Sequence, residues 1–99
     1  MGTFVYIGHD GPRGLELRPA TRDRHLAHIQ KLDSAGHITF AGPLRDEQGS
    51  PCGSLVVFEA DDLASARTLA ESDPYWTEGV FERVDVHESL RVFPKSQGS

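Results

Sequence analysis

Apolar positions along the chain follow two spacings, one of strands and one of helices. Thr3 to His9 (TFVYIGH) is β-branched and aromatic and closes on Asp10-Gly11-Pro12, which predicts a first strand running into a turn. Asp10 to Arg18 holds two glycines and a proline and predicts a loop. A helix is expected from about Pro19–Thr21 to Ala35, with Pro19 in its first turn, Thr21 as candidate N-cap and Gly36 as the stop. At about 100° per residue, Leu26, Ile29, Leu32 and Gly36 fall within about 120° of arc, the width of a core-facing stripe. His25 falls inside that arc; Gln30, Lys31 and Ser34 lie opposite.

His37 to Leu44 predicts a second strand ended by Gly42-Pro43, and Arg45 to Gly53 a loop. Ser54 to Glu59 (SLVVFE) predicts a short apolar third strand. Asp61 or Asp62 is placed to cap a second helix, Leu63 to Ser72, which Pro74 ends. Val80 to Phe93 alternates Val84, Val86, Leu90 and Val92 with Arg83, Asp85, His87 and Arg91, the pattern of a long final strand. Pro94 to Ser99 reads as a frayed tail.

The resulting order, βαββαβ, is the split pattern of the ferredoxin-like α+β class, with two helices on one face of a four-stranded antiparallel sheet. Strands one and three are apolar at consecutive positions, so the other face needs cover as well. Two short helices cannot cover Phe4, Tyr6, Val57 and Phe58 together, which predicts a homodimer with the sheets packed face to face.

Composition narrows the function classes. The 99 residues fit one domain, expected over residues 1–93, with 94–99 as a flexible tail. A net charge of −5, with scattered basic residues, weighs against nucleic acid or an anionic membrane surface as partner. No apolar run approaches the roughly 20 residues of a membrane span. The N-terminus shows no basic-then-apolar leader, and Cys52 is alone, so a reducing, cytoplasmic compartment is expected.

Five histidines are present, and His25 is the one that faces a core. A histidine there is more often a hydrogen-bonded structural residue than a catalyst. The functional reading places it at the rim of a cavity between helix and sheet, where an imidazole can act as general acid or base. It then needs an orienting carboxylate. Asp73 is the candidate, beside Tyr75 and Trp76, although Asp-Pro is also ordinary turn chemistry. His25 and His28 are three apart on a helix and could share a metal, but no further ligand stands at a recognisable spacing, so no metal is expected. No dinucleotide or phosphate-binding loop motif is present, and no cofactor is expected.

Arg22-x-x-His25-Leu26, Ala41-Gly42-Pro43, Gly53-Ser54, Asp73-Pro74-Tyr75 and a terminal Arg91-Val92-Phe93 occur in that order, and together they resemble the YciI-like (YCII-related) family over about Thr3 to Phe93. The resemblance implies a dimeric α/β barrel of ferredoxin-like protomers. It also implies a His–Asp pair in a cleft, at His25 and Asp73, with the serine of the Gly-Ser block at Ser54. The family is similar in fold to small cofactor-free enzymes such as muconolactone isomerase, and dehydrohalogenation of hydroxylated aromatics occurs among its relatives. The chain departs from it at Asp23-Arg24, where Pro-Ala is frequent, and Asp46 to Cys52 matches no pattern.

The expectation is therefore a cofactor-free isomerase, lyase or dehydrohalogenase acting on a small cyclic or aromatic acid. His25 and Asp73 are its catalytic pair; Ser54, Arg22, Tyr75 and Trp76 contact substrate. The competing reading is a ligand-binding or accessory module, in which His25 only donates a hydrogen bond.

Overall fold

The computed structural model describes residues 1–95. The elements are β1 (Gly2–Asp10), α1 (Gly14–Ser34), β2 (Ile38–Arg45), β3 (Pro51–Ala60), α2 (Leu63–Glu71), α3 (Pro74–Thr77) and β4 (Phe81–Ser89). The sheet order is β2-β3-β1-β4, antiparallel throughout, so the fold is α+β and ferredoxin-like with one extra short helix.

Period-two burial separates the two faces of the central strands. Phe4, Tyr6, Val56 and Phe58 are buried beneath the helices with Ala66 and Ala70 of α2. Their neighbours Val5, Ile7, Leu55 and Val57 turn to the opposite face and are half-buried. The dimer argument is corrected in its particulars, because the helices do cover Phe4, Tyr6 and Phe58. Of the residues it invoked, only Val57 lies on the open face, with Phe40 of β2 in register beside it and 54% exposed.

The element ends also differ from expectation. α1 begins at Gly14 rather than near Pro19, so Pro19 lies inside the helix and Thr21 is a buried helical residue instead of a cap. Arg18 explains this: its guanidinium is clamped to Asp10 at the end of β1, which winds the expected loop into helix. The approach is close enough that a Cβ at Gly14 would fall 2.6 Å from the Asp10 carboxylate. Gly36, at φ 78°, ends the helical run as expected of the left-handed position. β3 starts at Pro51 rather than Ser54 because β2 extends to Arg45 and pairs with it. β4 stops at Ser89, opposite Thr3, next to the first residue of β1. Leu90, Val92 and Phe93, assigned to that strand by alternation, are consequently exposed. Of the expected tail, Ser96 to Ser99 lie outside the described residues.

Asp62, not Asp61, caps α2 through the Ser65 N–H. Pro74 does more than end a helix: it is the first residue of α3, whose N-cap is Asp73.

Candidate active site

Side chains four and three apart on α1 form one stripe, and Arg18, Arg22, His25 and Ile29 all line a cavity of about 420 Å³. Ala41, Gly42 and Pro43 of β2 and Ser54 and Val56 of β3 lie across from them, and Tyr75 of α3 also contributes. The cavity is apolar apart from the α1 cations, His25, Ser54 and Tyr75.

His25 is held by its Nδ1, 2.7 Å from Asp73 Oδ1. Its Nε2 has no protein partner among the described residues. Its ring stacks on Tyr75 with centroids 3.9 Å apart and planes 6° from parallel. Asp73 is fully buried. Its Oδ1 also accepts from the Tyr75 N–H at 2.9 Å, which is the N-cap bond of α3. Its Oδ2 accepts from the Tyr6 hydroxyl at 2.7 Å. Burial alone would push the Asp73 carboxyl up; the bonds and charge of His25, then the Tyr6 and Tyr75 donors, outweigh it and hold the group below the usual carboxylate range. The Tyr6 phenol is pushed far above its ordinary value, first by burial and then by the adjacent Asp73 charge, so it remains a protonated donor.

The chain belongs to the YCII-related domain family, whose model matches residues 3–89. It is 34% identical over 96 residues to protein YciI of Escherichia coli, an alignment spanning 91% of this chain and 98% of that one. An uncharacterised protein of Haemophilus influenzae matches to the same extent, 34% over 96 residues, with 91% and 98% covered. Among solved structures, 5-chloro-2-hydroxyhydroquinone dehydrochlorinase of Burkholderia phenoliruptrix, in complex with 2,5-dihydroxybenzoquinone, superposes with a TM-score of 0.78. Identity to it is 24%, covering 89% of this chain and 93% of that one; at that identity the likeness is one of fold.

This YCII-related fold gathers His25, Tyr75, Ser54 and Arg22 around one cavity, with Asp73 buried behind His25 and outside the lining. Ser54 is only 3% exposed, and its hydroxyl makes no hydrogen bond among the described residues. Arg22 is an exposed cavity-lining cation with no ion pair among the described residues. Trp76 is not brought to the site: it packs against the cluster of Tyr75, Val80 and Phe81, away from the cavity. Alternate positions of the short α3 leave only one of the two aromatics facing α1. Arg24, at the departure from the family pattern, points to Glu78 at 3.6 Å and does not line the cavity. In the unmatched segment, Asp46 accepts from the Gln48 and Ser50 N–H groups and closes the β2–β3 turn, which sets Pro51 at the cavity edge.

Three site residues escaped the sequence reading. Tyr6 entered only as one of the strand residues in need of cover, whereas a buried phenol must also find an acceptor. Arg18 and Asp10 were taken as loop, yet Arg18 donates Nε and Nη2 to Asp10 at 2.7 and 2.9 Å and Nη2 to the Gly53 carbonyl at 3.0 Å. Its guanidinium carbon lies 4.9 Å from the Tyr75 ring centroid. Extending the helical spacing backward from His25 through Arg22 would have found it.

His28 is half-buried and faces away from the cavity, its Nε2 buried without a partner. Burial holds it below the ordinary histidine range, against the pull of the Asp73 charge. Among the described residues no three His, Cys, Asp or Glu side chains converge as metal ligands would.

Proposed function

We propose that the chain is a small enzyme that moves a proton on a small cyclic or aromatic acid, with His25 as general acid–base and Asp73 as its orienting partner. One observation carries this reading: the carboxylate takes Nδ1, and the remaining ring nitrogen belongs to a residue that lines the cavity. With Nδ1–H donated to Asp73, Nε2 holds a lone pair. It can take a proton from substrate, and the buried carboxylate stabilises the imidazolium that forms. A well-placed base of this kind contributes roughly 10²–10⁴-fold. Stacking on Tyr75 restrains the ring against rotation.

The cavity supports a ring-shaped substrate bearing oxygens. Its apolar surfaces suit a flat carbon frame, Arg22 offers charge to an acidic oxygen, and Ser54 offers an unengaged hydroxyl. The dehydrochlorinase likeness points to one reaction of this class. Loss of HCl from a chlorinated trihydroxybenzene breaks two O–H bonds and one C–Cl bond and forms one C–H bond: one hydroxyl proton moves to the chlorine-bearing carbon, the other goes to the base, the chloride leaves with the electron pair, and the ring becomes a quinone. The balance needs a base and no external oxidant.

The test is chloride release from 5-chloro-2-hydroxyhydroquinone, followed by ion chromatography. Enzyme-dependent release, with the quinone appearing in equal amount, is expected. Binding of 2,5-dihydroxybenzoquinone without chloride release, and without solvent deuterium exchange into any ring acid tried, would leave a ligand-binding module instead.

The open sheet face completes the proposal. Val5, Ile7, Leu55 and Val57, with Phe40, form an apolar surface, and a second copy of the chain packed sheet to sheet would cover it. Among the described residues no helix is long and apolar enough to cross a membrane.

A further inference from the structure

We propose that Tyr6 is a positioning residue of the His25–Asp73 pair: its hydroxyl keeps Asp73 ionised in one rotamer and thereby fixes which ring nitrogen of His25 serves the cavity. The inference rests on the reading of His25 as the proton-transfer group, and it names a residue which that reading does not require.

The argument starts from the two oxygens of Asp73. Oδ1 accepts twice, from His25 Nδ1 and from the Tyr75 N–H. Oδ2 accepts from Tyr6 alone. Without Tyr6 one oxygen of a fully buried carboxylate would have no protein donor, and an unpaired buried charge is costly enough that the group tends to protonate instead. A protonated Asp73 could donate to His25 Nδ1, which would put the imidazole proton on Nε2. The ring would then present a donor to the cavity where proton abstraction needs a lone pair.

Tyr6 is also the member of the network least able to move. His25 comes from α1 and Asp73 from the cap of α3, two separate helices. Tyr6 sits in the middle of β1, paired with Val56 on one side and Val86 on the other. Its ring is fully buried and meets Phe58 edge-on, with centroids 5.7 Å apart at 77°. Its hydroxyl therefore references a helix-borne pair to the centre of the sheet. The titratable groups around Asp73 are His25 and His28 of α1, Tyr6 of β1 and the Tyr75 phenol of α3. Tyr6 is the one among them that bonds Oδ2.

The experiment is Tyr6→Phe in the full chain, which keeps the ring and its packing. Carbon NMR of the Asp73 carboxyl should show its titration moving up by about one pH unit, a roughly tenfold gain in proton affinity for the loss of one bond to a charged acceptor. Nitrogen-resolved NMR of His25 should show the Nδ1–H tautomer above neutrality in both proteins, with the Nε2–H form appearing at a higher pH in the variant than in the native protein as Asp73 protonates. With the chlorinated substrate, the acid limb of the pH–rate profile should move up with Asp73 while the plateau changes little. An unmoved Asp73 titration and an unchanged tautomer in Tyr6→Phe would overturn the proposal, whatever happens to stability. Should Tyr6→Phe not fold, 3-fluorotyrosine at position 6 replaces it. That more acidic phenol should move the Asp73 titration downward, and no movement would overturn the proposal equally. The NMR readings need no turnover, so a native protein that releases no chloride defeats the catalytic reading while leaving this one decided on its own data.

Discussion

His25–Asp73 and His9–Asp85 are the same pair of side chains, at 2.7 and 3.0 Å, in opposite surroundings. The first pair lies beneath the helices, with side chains 12% and 0% exposed; the second lies on the open sheet face at 37% and 36%. Asp73 receives donors at both oxygens from a strand, a helix and a cap. Asp85 shares its oxygen between His9 and the exposed guanidinium of Arg83, which itself lies 3.2 Å from the same histidine nitrogen. His9 by hydrogen bond, then Arg83 by charge, hold Asp85 below its ordinary value, but water screens such a pair and takes most of its energy. The difference teaches that the identity of the two residues does not make a site. Desolvation makes the coupling strong, and a cavity beside the free nitrogen makes it useful.

The comparison breaks most visibly in turnover. His25→Asn should lower the rate of chloride release by roughly 10²–10⁴-fold with the fold intact by circular dichroism, while His9→Asn leaves it unchanged. Equal losses from both variants would place the chemistry outside the cavity.

In stability, Asp73→Ala should cost about 3–5 kcal/mol by urea titration, because it strands three buried donors. Asp85→Ala should not differ measurably from the native protein. The Asp73 contribution has a definite pH sign. Its folded value lies below its unfolded one, so its stabilisation is complete above the ordinary carboxylate range near about 4 and is lost as pH falls through the lower folded value. Asp73→Asn should remove that acid limb from a stability–pH curve; an unaltered limb would assign acid sensitivity to other carboxylates.

The smallest effect on the site is expected from the open face. Val57→Asp should convert a species of twice the chain mass into a monomer by light scattering, while nuclear magnetic resonance shifts of the His25 ring stay in place. A native protein already at monomer mass would show that the face is left to solvent.

Much of this was readable in one dimension. The unbroken apolar runs Phe4–Ile7 and Leu55–Phe58, and the near-3.6 spacing of Leu26, Ile29 and Leu32, carry the strands and the main helix, and the ordered blocks around His25 and Asp73 carry the family. The errors share a cause. α1 starts early because Arg18 reaches back to Asp10, and β4 keeps pairing only as far as Thr3 near the start of β1, and both are facts about a neighbour in space. Tyr6 was missed for the same reason: a run of consecutive apolar residues says only that it needs cover, and nothing local says that Asp73 waits there.

The sequence by itself determined which residues could form strands and helices, and which side of α1 faces inward, because side-chain spacing along a regular backbone is a local property. It also determined that His25 would lie on that packed side. Only the tertiary structure decided that Asp73, 48 residues away, would take Nδ1, that Tyr6 and not Trp76 would join the pair, and that the other His–Asp pair would be left in water. Those outcomes depend on desolvation and hydrogen-bond geometry, and both are set by elements that meet only when the chain closes on itself.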